Sequence, residues 1–223
     1  MMHQRISKKI FIFLFIFFIL GTINNTKLSH DFYKVKKFNI IGLNQIEEKK
    51  LYDDFKILKN VNIFFFSKKD ISKIIYSDRT VEEFEIDKVY PSTLNIKIKK
   101  TELLALTKKN GNNFFIGANG NLIEINDNIS ELPFIFGNVD IDNFLNFKKI
   151  IDISNFKFSY IKNLYYFKSN RWDILTKDGL TLKMPNDLTV EKLNLISKVI
   201  KNQNLENAEL FDFRQNNMLV INE

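Results

Sequence analysis

The chain contains no cysteine, only three prolines, seven glycines and two histidines in 223 residues. Without cysteine, disulfides, zinc–thiolate sites, thiol redox chemistry and a cysteine nucleophile are all excluded. A domain of this chain that works outside the cytosol must be held by its core. With 45% hydrophobic residues and 23 phenylalanines, material for one is present. The histidines, His3 and His30, flank an apolar run and neither falls inside a folded segment. Their absence from the folded region weakens metal-centred and general-base chemistry. So few prolines and glycines leave little room for low-complexity linker, and no tandem repeat is present. Arginine is scarce too, at four residues (Arg5, Arg79, Arg171, Arg214). Site-specific nucleic-acid readers favour arginine for bidentate base contacts, so the net charge of +7 does not point to nucleic acid. Much of that charge is local: Arg5, Lys8, Lys9 and Lys27 stand near the start with no acid among them, leaving 29 basic against 26 acidic residues beyond.

What is present is one long apolar run. Ile10 to Ile23 reads IFIFLFIFFILGTI, 14 residues without charge directly after Arg5, Lys8 and Lys9. A basic flank holds the N-terminus in the cytoplasm while the apolar helix enters the bilayer. The run makes about 21 Å of helix, short of the roughly 20 residues that cross a hydrocarbon core. It therefore reads either as a secretory signal or as an anchor. The anchor is favoured. Asn24-Asn25-Thr26-Lys27-Leu28 offers no A-x-A-like cleavage site, and snorkelling or uncharged neighbours extend the helix to bilayer length. The expected layout is a cytoplasmic tail over 1–9, a transmembrane helix over 10–28, and two domains on the far side of the membrane over 33–101 and 102–223.

The first domain reads β-α-α-β-β. Tyr33 to Ile41 alternates as a strand stopped by Gly42, Asn44 caps a helix over about 45–58 whose apolar spacing is set by Ile46, Leu51, Phe55 and Leu58, and Val61 to Phe66 is a short apolar extended run. A second helix opens at Ser67 to Asp70 with Ile71, Ile74 and Ile75 on one face. Strands Val81 to Val89 and Thr93 to Lys99 then meet at Tyr90-Pro91-Ser92. The second half alternates short strands with turns such as Asn110-Gly111 and Lys177-Asp178-Gly179. Two helices interrupt it, over about 140–151 and 189–201, and the final strands span 209–214 and 218–222. The fold class is α+β: an N-terminal helix, a small three-stranded module, and a mostly antiparallel β-domain.

No constellation carries chemistry. Asp53-Asp54 and Glu82-Glu83 are adjacent, so their side chains diverge and read as solvated surface. Gly117-Ala118-Asn119-Gly120 lacks the Lys-Ser/Thr ending of a phosphate loop. No cofactor is expected. Binding is the remaining output. The last strand is a natural sheet edge, whose open N–H and C=O groups accept a partner strand. Met218, Leu219, Val220 and Ile221 are all apolar, so one alternate pair either faces a partner or is buried beneath another element.

The order of parts resembles the bacterial division proteins of the FtsQ/DivIB family: basic tail, single anchor, POTRA domain, β-domain. Phe38-Asn-Ile-Ile-Gly42 is similar to the family's V-x-V-x-G opening strand, and Val61-Asn-Ile-Phe64 to its G-x-N-L-F segment. Tyr90-Pro91-Ser92-Thr93-Leu94-Asn95-Ile96 resembles the Y-P-x-T-L-x-I block, the most specific of these pieces. Phe115 to Gly120 resembles the D-x-x-G hairpin, and Phe211-Asp-Phe-Arg214 the V-D-L-R strand. Lys88 departs from the usual Arg, Lys100-Thr-Glu102-Leu103 from an E-R-x-P corner, and Asn216-Asn217 from a D-S-G-like turn.

The resemblance implies a non-enzymatic scaffold of the inner membrane at the division septum. Its partners would be the single-pass proteins FtsB and FtsL, and the upstream component FtsK, with no nucleic acid and no small-molecule substrate. It places the partner contact on Phe211, Phe213, Arg214, Gln215, Asn216, Asn217, Met218, Leu219 and Val220, with Arg214 offering a charge-assisted fork to a partner carboxylate. The POTRA edge near Val81 to Val89 is a second possible surface. The competing readings are a cleaved or tethered POTRA-type binding module of envelope assembly, and a tethered envelope enzyme.

Overall fold

The computed structural model describes residues 8–23, 33–125, 131–202, 208–215 and 220–222. The apolar run forms α1 (Lys8–Ile23), 16 residues and so about 24 Å long. Every residue from Ile10 to Leu20 is exposed, so the helix is apolar all round and has no polar face to turn to water. Among the described residues no helix is long and apolar enough to cross a membrane. The expected span over 10–28 runs on into residues outside the described ones.

Two compact units follow the chain's contacts, residues 1–75 with 85–97, and residues 76–84 with 98–223. The first unit is organised on β1 (Lys37–Ile41), which runs parallel to β3 (Thr93–Lys100) from Lys37 opposite Thr93 to Ile41 opposite Lys97. With β2 (Val81–Val89) this gives a three-stranded sheet in the order β1-β3-β2. The Tyr90–Pro91 peptide bond between β2 and β3 is cis. Helix α2 (Gln45–Asp54) starts on a full capping box. Asn44 Oδ1 accepts from the Ile46 and Glu47 amides at 3.1 and 2.9 Å, and the Glu47 carboxylate accepts from the Asn44 amide at 3.3 Å.

Two expectations need correction here. The expected helix over 45–58 is α2 followed by a 3₁₀ turn, Phe55–Leu58, and only that turn delivers the core residues Phe55 and Leu58. Ile46 points to solvent at 83% exposure, because it lies in the first turn on the face carrying the cap. Val61 to Phe66 is not an extended strand beyond one bridge from Lys34 to Asn62. Asn62 instead turns the chain, its side chain accepting from the Phe64 amide at 2.9 Å and its carbonyl from Phe65 and Phe66 at 3.1 Å. Ile63 and Phe66 go inward, while Phe64 and Phe65 stay outside. Helix α3 (Lys68–Ile75) then buries Ile71 and Ile75.

The second unit is a nine-stranded sheet in the order β12-β11-β10-β9-β8-β7-β4-β5-β6. Its strands are β4 (Leu103–Lys109), β5 (Asn112–Gly117), β6 (Leu122–Glu124), β7 (Phe134–Phe136), β8 (Ile161–Tyr166), β9 (Trp172–Thr176), β10 (Thr181–Lys183), β11 (Leu210–Asp212) and β12 (Val220–Asn222). Five pairings are antiparallel; β4–β7, β7–β8 and β10–β11 are parallel. Two of the parallel pairs are crossovers, β7 to β8 through α4 (Ile141–Ile153) and β10 to β11 through α5 (Val190–Asn202).

Both helices contribute to one core. Phe144 and Phe147 from α4 and Leu193 and Ile196 from α5 join the buried residues Leu164, Ile174, Leu182 and Phe211 of successive strands. Phe147 stacks on Trp172 with ring centroids 4.6 Å apart. Strand β7 comes so close to β8 at its end that a Cβ on Gly137, at φ +105°, would stand 2.3 Å from the Tyr166 carbonyl oxygen. The Phe115 to Gly120 segment is held by Asn119. Its amide donates to Thr101 Oγ1 at 3.0 Å, and its Nδ2 donates to the carbonyls of Arg79 and Val81 at 3.1 and 2.9 Å.

Candidate functional site

The nine-strand order ends on β12, and among the described residues no strand lies beyond it. Strand β11 is its neighbour among the described residues: Leu210 faces Asn222, Phe211 faces Ile221 and Asp212 faces Val220. On its other side β11 runs parallel to β10, with Phe211 opposite Leu182 and Asp212 opposite Lys183. Opposed residues share a face of the sheet. Phe211, wholly buried, marks the core face, so Asp212 and Val220 stand on the opposite one. This assigns what alternation in the sequence leaves open: Val220 is on the outer face, and it is 49% exposed. Ile221 occupies the register position opposite Phe211.

Phe213 follows β11 and is partly buried. Its amide donates to the Lys183 carbonyl at 2.9 Å, and its ring meets that of Phe211 at 6.0 Å. It thus packs against the core and is not displayed at the edge. Arg214 is exposed, but its guanidinium is already engaged. Nε donates to both Asp212 carboxylate oxygens, at 2.8 and 2.9 Å, and Nη2 donates to Oδ2. The expected fork toward a partner carboxylate is closed within the chain on that side. The guanidinium beside Asp212 holds the Asp212 carboxyl below the ordinary carboxylate range. Asp212, Arg214, Gln215 and Val220 together line a hollow of about 280 Å³ on the outer face. Asn216, Asn217, Met218 and Leu219 lie outside the described residues.

Sequence reasoning missed Asp212 as the partner of Arg214. The i,i+2 spacing in Asp212-Phe213-Arg214 is its signal, because residues two apart on an extended chain share a face. Two strands further in, on β9, Asp173 is buried beside Arg171, its Oδ1 3.2 Å from Nε. Burial pushes its carboxyl up, and the arginine offsets this only in part.

No reaction centre stands out among the described residues. Among the described residues no group of three His, Asp or Glu side chains could hold a metal ion. A hollow of about 400 Å³ is lined by Phe156, Tyr160, Ser197 and Ile200 among others. The Ser197 hydroxyl donates to the Leu193 carbonyl at 2.8 Å, as a helix-interior serine does. Tyr160 donates its hydroxyl to Asp178, which raises its pKa above the ordinary tyrosine value and keeps it protonated. The Ser197 hydroxyl is thus committed to a backbone carbonyl and the Tyr160 hydroxyl to a carboxylate that holds its proton in place.

Two family models cover the sheets in turn: the FtsQ-type POTRA domain over residues 33–101 and the FtsQ/DivIB C-terminal domain over residues 105–214. The chain belongs to the FtsQ/DivIB family of cell division proteins. It is 28% identical over 212 residues to cell division protein DivIB of Clostridium botulinum (Loch Maree), covering 95% of this chain and 72% of that one. To cell division protein FtsQ of Rickettsia bellii it is 25% identical over 194 residues, covering 85% and 72%. The extracytoplasmic domain of DivIB from Geobacillus stearothermophilus, a solved structure, is 14% identical and aligns over 47% of this chain and 98% of its own, with a TM-score of 0.34. The small module and the helix-backed large sheet of this FtsQ/DivIB chain are thus the two domains by which its family is defined.

Proposed function

We propose that this chain is a non-enzymatic scaffold of the division septum, held in the inner membrane by α1. Its short basic tail lies in the cytoplasm and both sheet-bearing units lie in the periplasm. The all-apolar surface of α1 supports the anchor, since a helix without a polar face is poorly solvated in water. At 16 residues it reaches bilayer depth by local thinning of the membrane and by snorkelling of Lys8 and Lys9. The scaffold recruits FtsB- and FtsL-type single-pass partners by strand addition to β12, and an FtsK-type component is a further partner. In this mode the open ladder groups supply affinity and alternate side chains supply specificity.

The observation that carries this reading is the place of β12 at the end of the strand order, with Val220 outside the core. Val220 gives the incoming strand an apolar contact. The Asp212–Arg214 pair beside it presents a fixed polar rim and does not reach out as a free cation. The test is co-purification of the FtsB-type partner with the full chain carrying Val220→Pro or, separately, Ile221→Pro. Successive amides of a strand point to opposite sides, so one of the two prolines removes an N–H aimed at the partner. That variant is expected to lose the partner while its thermal unfolding stays near wild type. Wild-type recovery of the partner by both variants would overturn the reading. A fluorescent fusion gathered at the septum is expected as well, whereas uniform envelope staining would favour the envelope-assembly module.

A further inference from the structure

We infer that the Phe64–Phe65 turn of the small module is a second membrane contact, seated at the boundary between headgroups and acyl chains of the bilayer that holds α1. The inference rests on the anchor reading above. Phe65 is 84% exposed, Phe64 53% and Tyr90 55%. Phe64 lies between two other rings, with centroids 5.0 Å from Tyr33 and 5.0 Å from Tyr90. The turn is not slack. Asn62 holds the amides of Phe64, Phe65 and Phe66, and the buried residues Ile63 and Phe66 pin it on either side. A fixed turn that aims two phenylalanines outward beside two tyrosines is an apolar patch, and such patches mark contact surfaces.

The chain's path decides what covers this one. Between Ile23, where α1 ends, and Tyr33 stand only residues 24–32. Ten Cα steps at their fullest reach span about 35 Å. Tyr33 is where that tether arrives: its carbonyl accepts from the Ile63 amide at 2.8 Å and its ring meets Phe64. The aromatic cluster therefore sits at the tethered end of the module. Ile46, as exposed at 83%, lies past the other end of β1.

The charges agree. Lys34, Lys36 and Lys37 precede β1 or open it, Lys68 and Lys69 follow the turn, and Lys88 donates to the Phe64 carbonyl at 3.4 Å. Of the acids in this stretch, Asp70 accepts the Ser67 amide at 2.6 Å and Asp87 pairs with Lys97 at 3.6 Å. Phenylalanine and tyrosine rimmed by lysine is the composition that binds an anionic lipid interface.

The absence of cysteine makes the test clean. Phe65→Cys in the full chain carries a single environment-sensitive fluorophore, with Ile46→Cys as the reference. Each is reconstituted in vesicles of phosphatidylethanolamine and phosphatidylglycerol. The label at 65 is expected to shift to the blue, to resist aqueous iodide, and to be quenched by lipid carrying a shallow acyl-chain spin label; the label at 46 is not. A label at 65 that stays as water-exposed as at 46, in chains that resist alkaline carbonate extraction, overturns the docking and leaves the anchor standing. Chains released by carbonate overturn the anchor and the docking together. Shielding of position 65 only after a division partner is added shows that a protein owns the patch, and overturns the lipid assignment.

Discussion

Phenylalanine does opposite work at two places in this molecule, the helix-backed core of the large sheet and the Asn62 turn of the small module. In the large sheet, Phe144 and Phe147 are buried, and Phe147 lies flat on Trp172. In the small module, Phe64 and Phe65 stand outside while Phe55 and Phe66 of the same module are buried. Residue type is equal in the two places and burial is not, so composition alone cannot say where a phenylalanine goes. What decides it is the local backbone. A helix over a broad sheet turns Phe144 and Phe147, three residues apart, onto one covered face. A tight turn of three consecutive phenylalanines has room beneath it for one.

Removing a ring from the covered side has the largest effect. Phe144→Ala, at a residue with no exposure and with Phe158 and Trp172 rings 6.5 and 6.3 Å away, is expected to leave a cavity. The expected loss is about 3–5 kcal/mol of stability, seen as a lowered denaturation midpoint with little change in slope. A loss under about 1 kcal/mol would mean that the core under α4 refills, and the contrast between the two places would lose its energetic basis.

The same contrast explains how much could be read from sequence. Elements set by short-range rules were legible: the Asn44 cap, the strands meeting at Pro91, and the Lys177-Asp178-Gly179 turn, where Thr176 Oγ1 accepts from the Leu180 amide at 3.0 Å. Apolar periodicity failed where a run was short. Ile46 fits a helical stripe but falls in a first turn facing solvent, and Val61 to Phe66 reads as extended because the Asn62 turn interrupts it without glycine or proline. The parallel pairings of β7 with β8 and β10 with β11 rest on contacts far apart in sequence. Their trace was there as a helix between two short strands. The candidate edge was legible as a last apolar strand; its outward residue was not, because period-2 alternation gives two faces and only pairing with Asp212 says which is which.

On the outer face of the large sheet two carboxylates divide by environment, which yields a smaller, signed effect. Asp212 is held below its ordinary pKa by Arg214, whereas burial raises Asp173. An acid whose folded pKa is depressed adds stability that is fully present above its unfolded value, about 3.9, and is lost as pH falls through the folded value. A raised acid acts with the opposite sign, and its cost appears as pH rises through its folded value. Asp212→Asn is therefore expected to cost about 0.5–1 kcal/mol at neutral pH, a modest figure because Arg214 is half in solvent. The difference from wild type should close as pH drops below about 4. Asp173→Asn should do the reverse above that range, flattening a decline of stability with rising pH. Denaturation midpoints of the two variants across pH separate the cases, and parallel curves would remove the claim that one face holds both environments.

The smallest expected change is the most telling for the comparison. Phe65→Ser takes a whole ring from the small module, as Phe144→Ala does from the large sheet. Yet Phe65 is 84% exposed, so the folded protein already leaves that ring in water much as the unfolded chain does. Surface substitutions of this kind stay within about 0.5 kcal/mol, so the denaturation midpoint of Phe65→Ser should match that of the wild type. A stability loss comparable with that of Phe144→Ala would show that the Phe64–Phe65 turn is packed within the protein. A neutral result leaves a turn fixed by Ile63 and Phe66 whose Phe65 ring contributes nothing to folding and is free for a contact outside the chain.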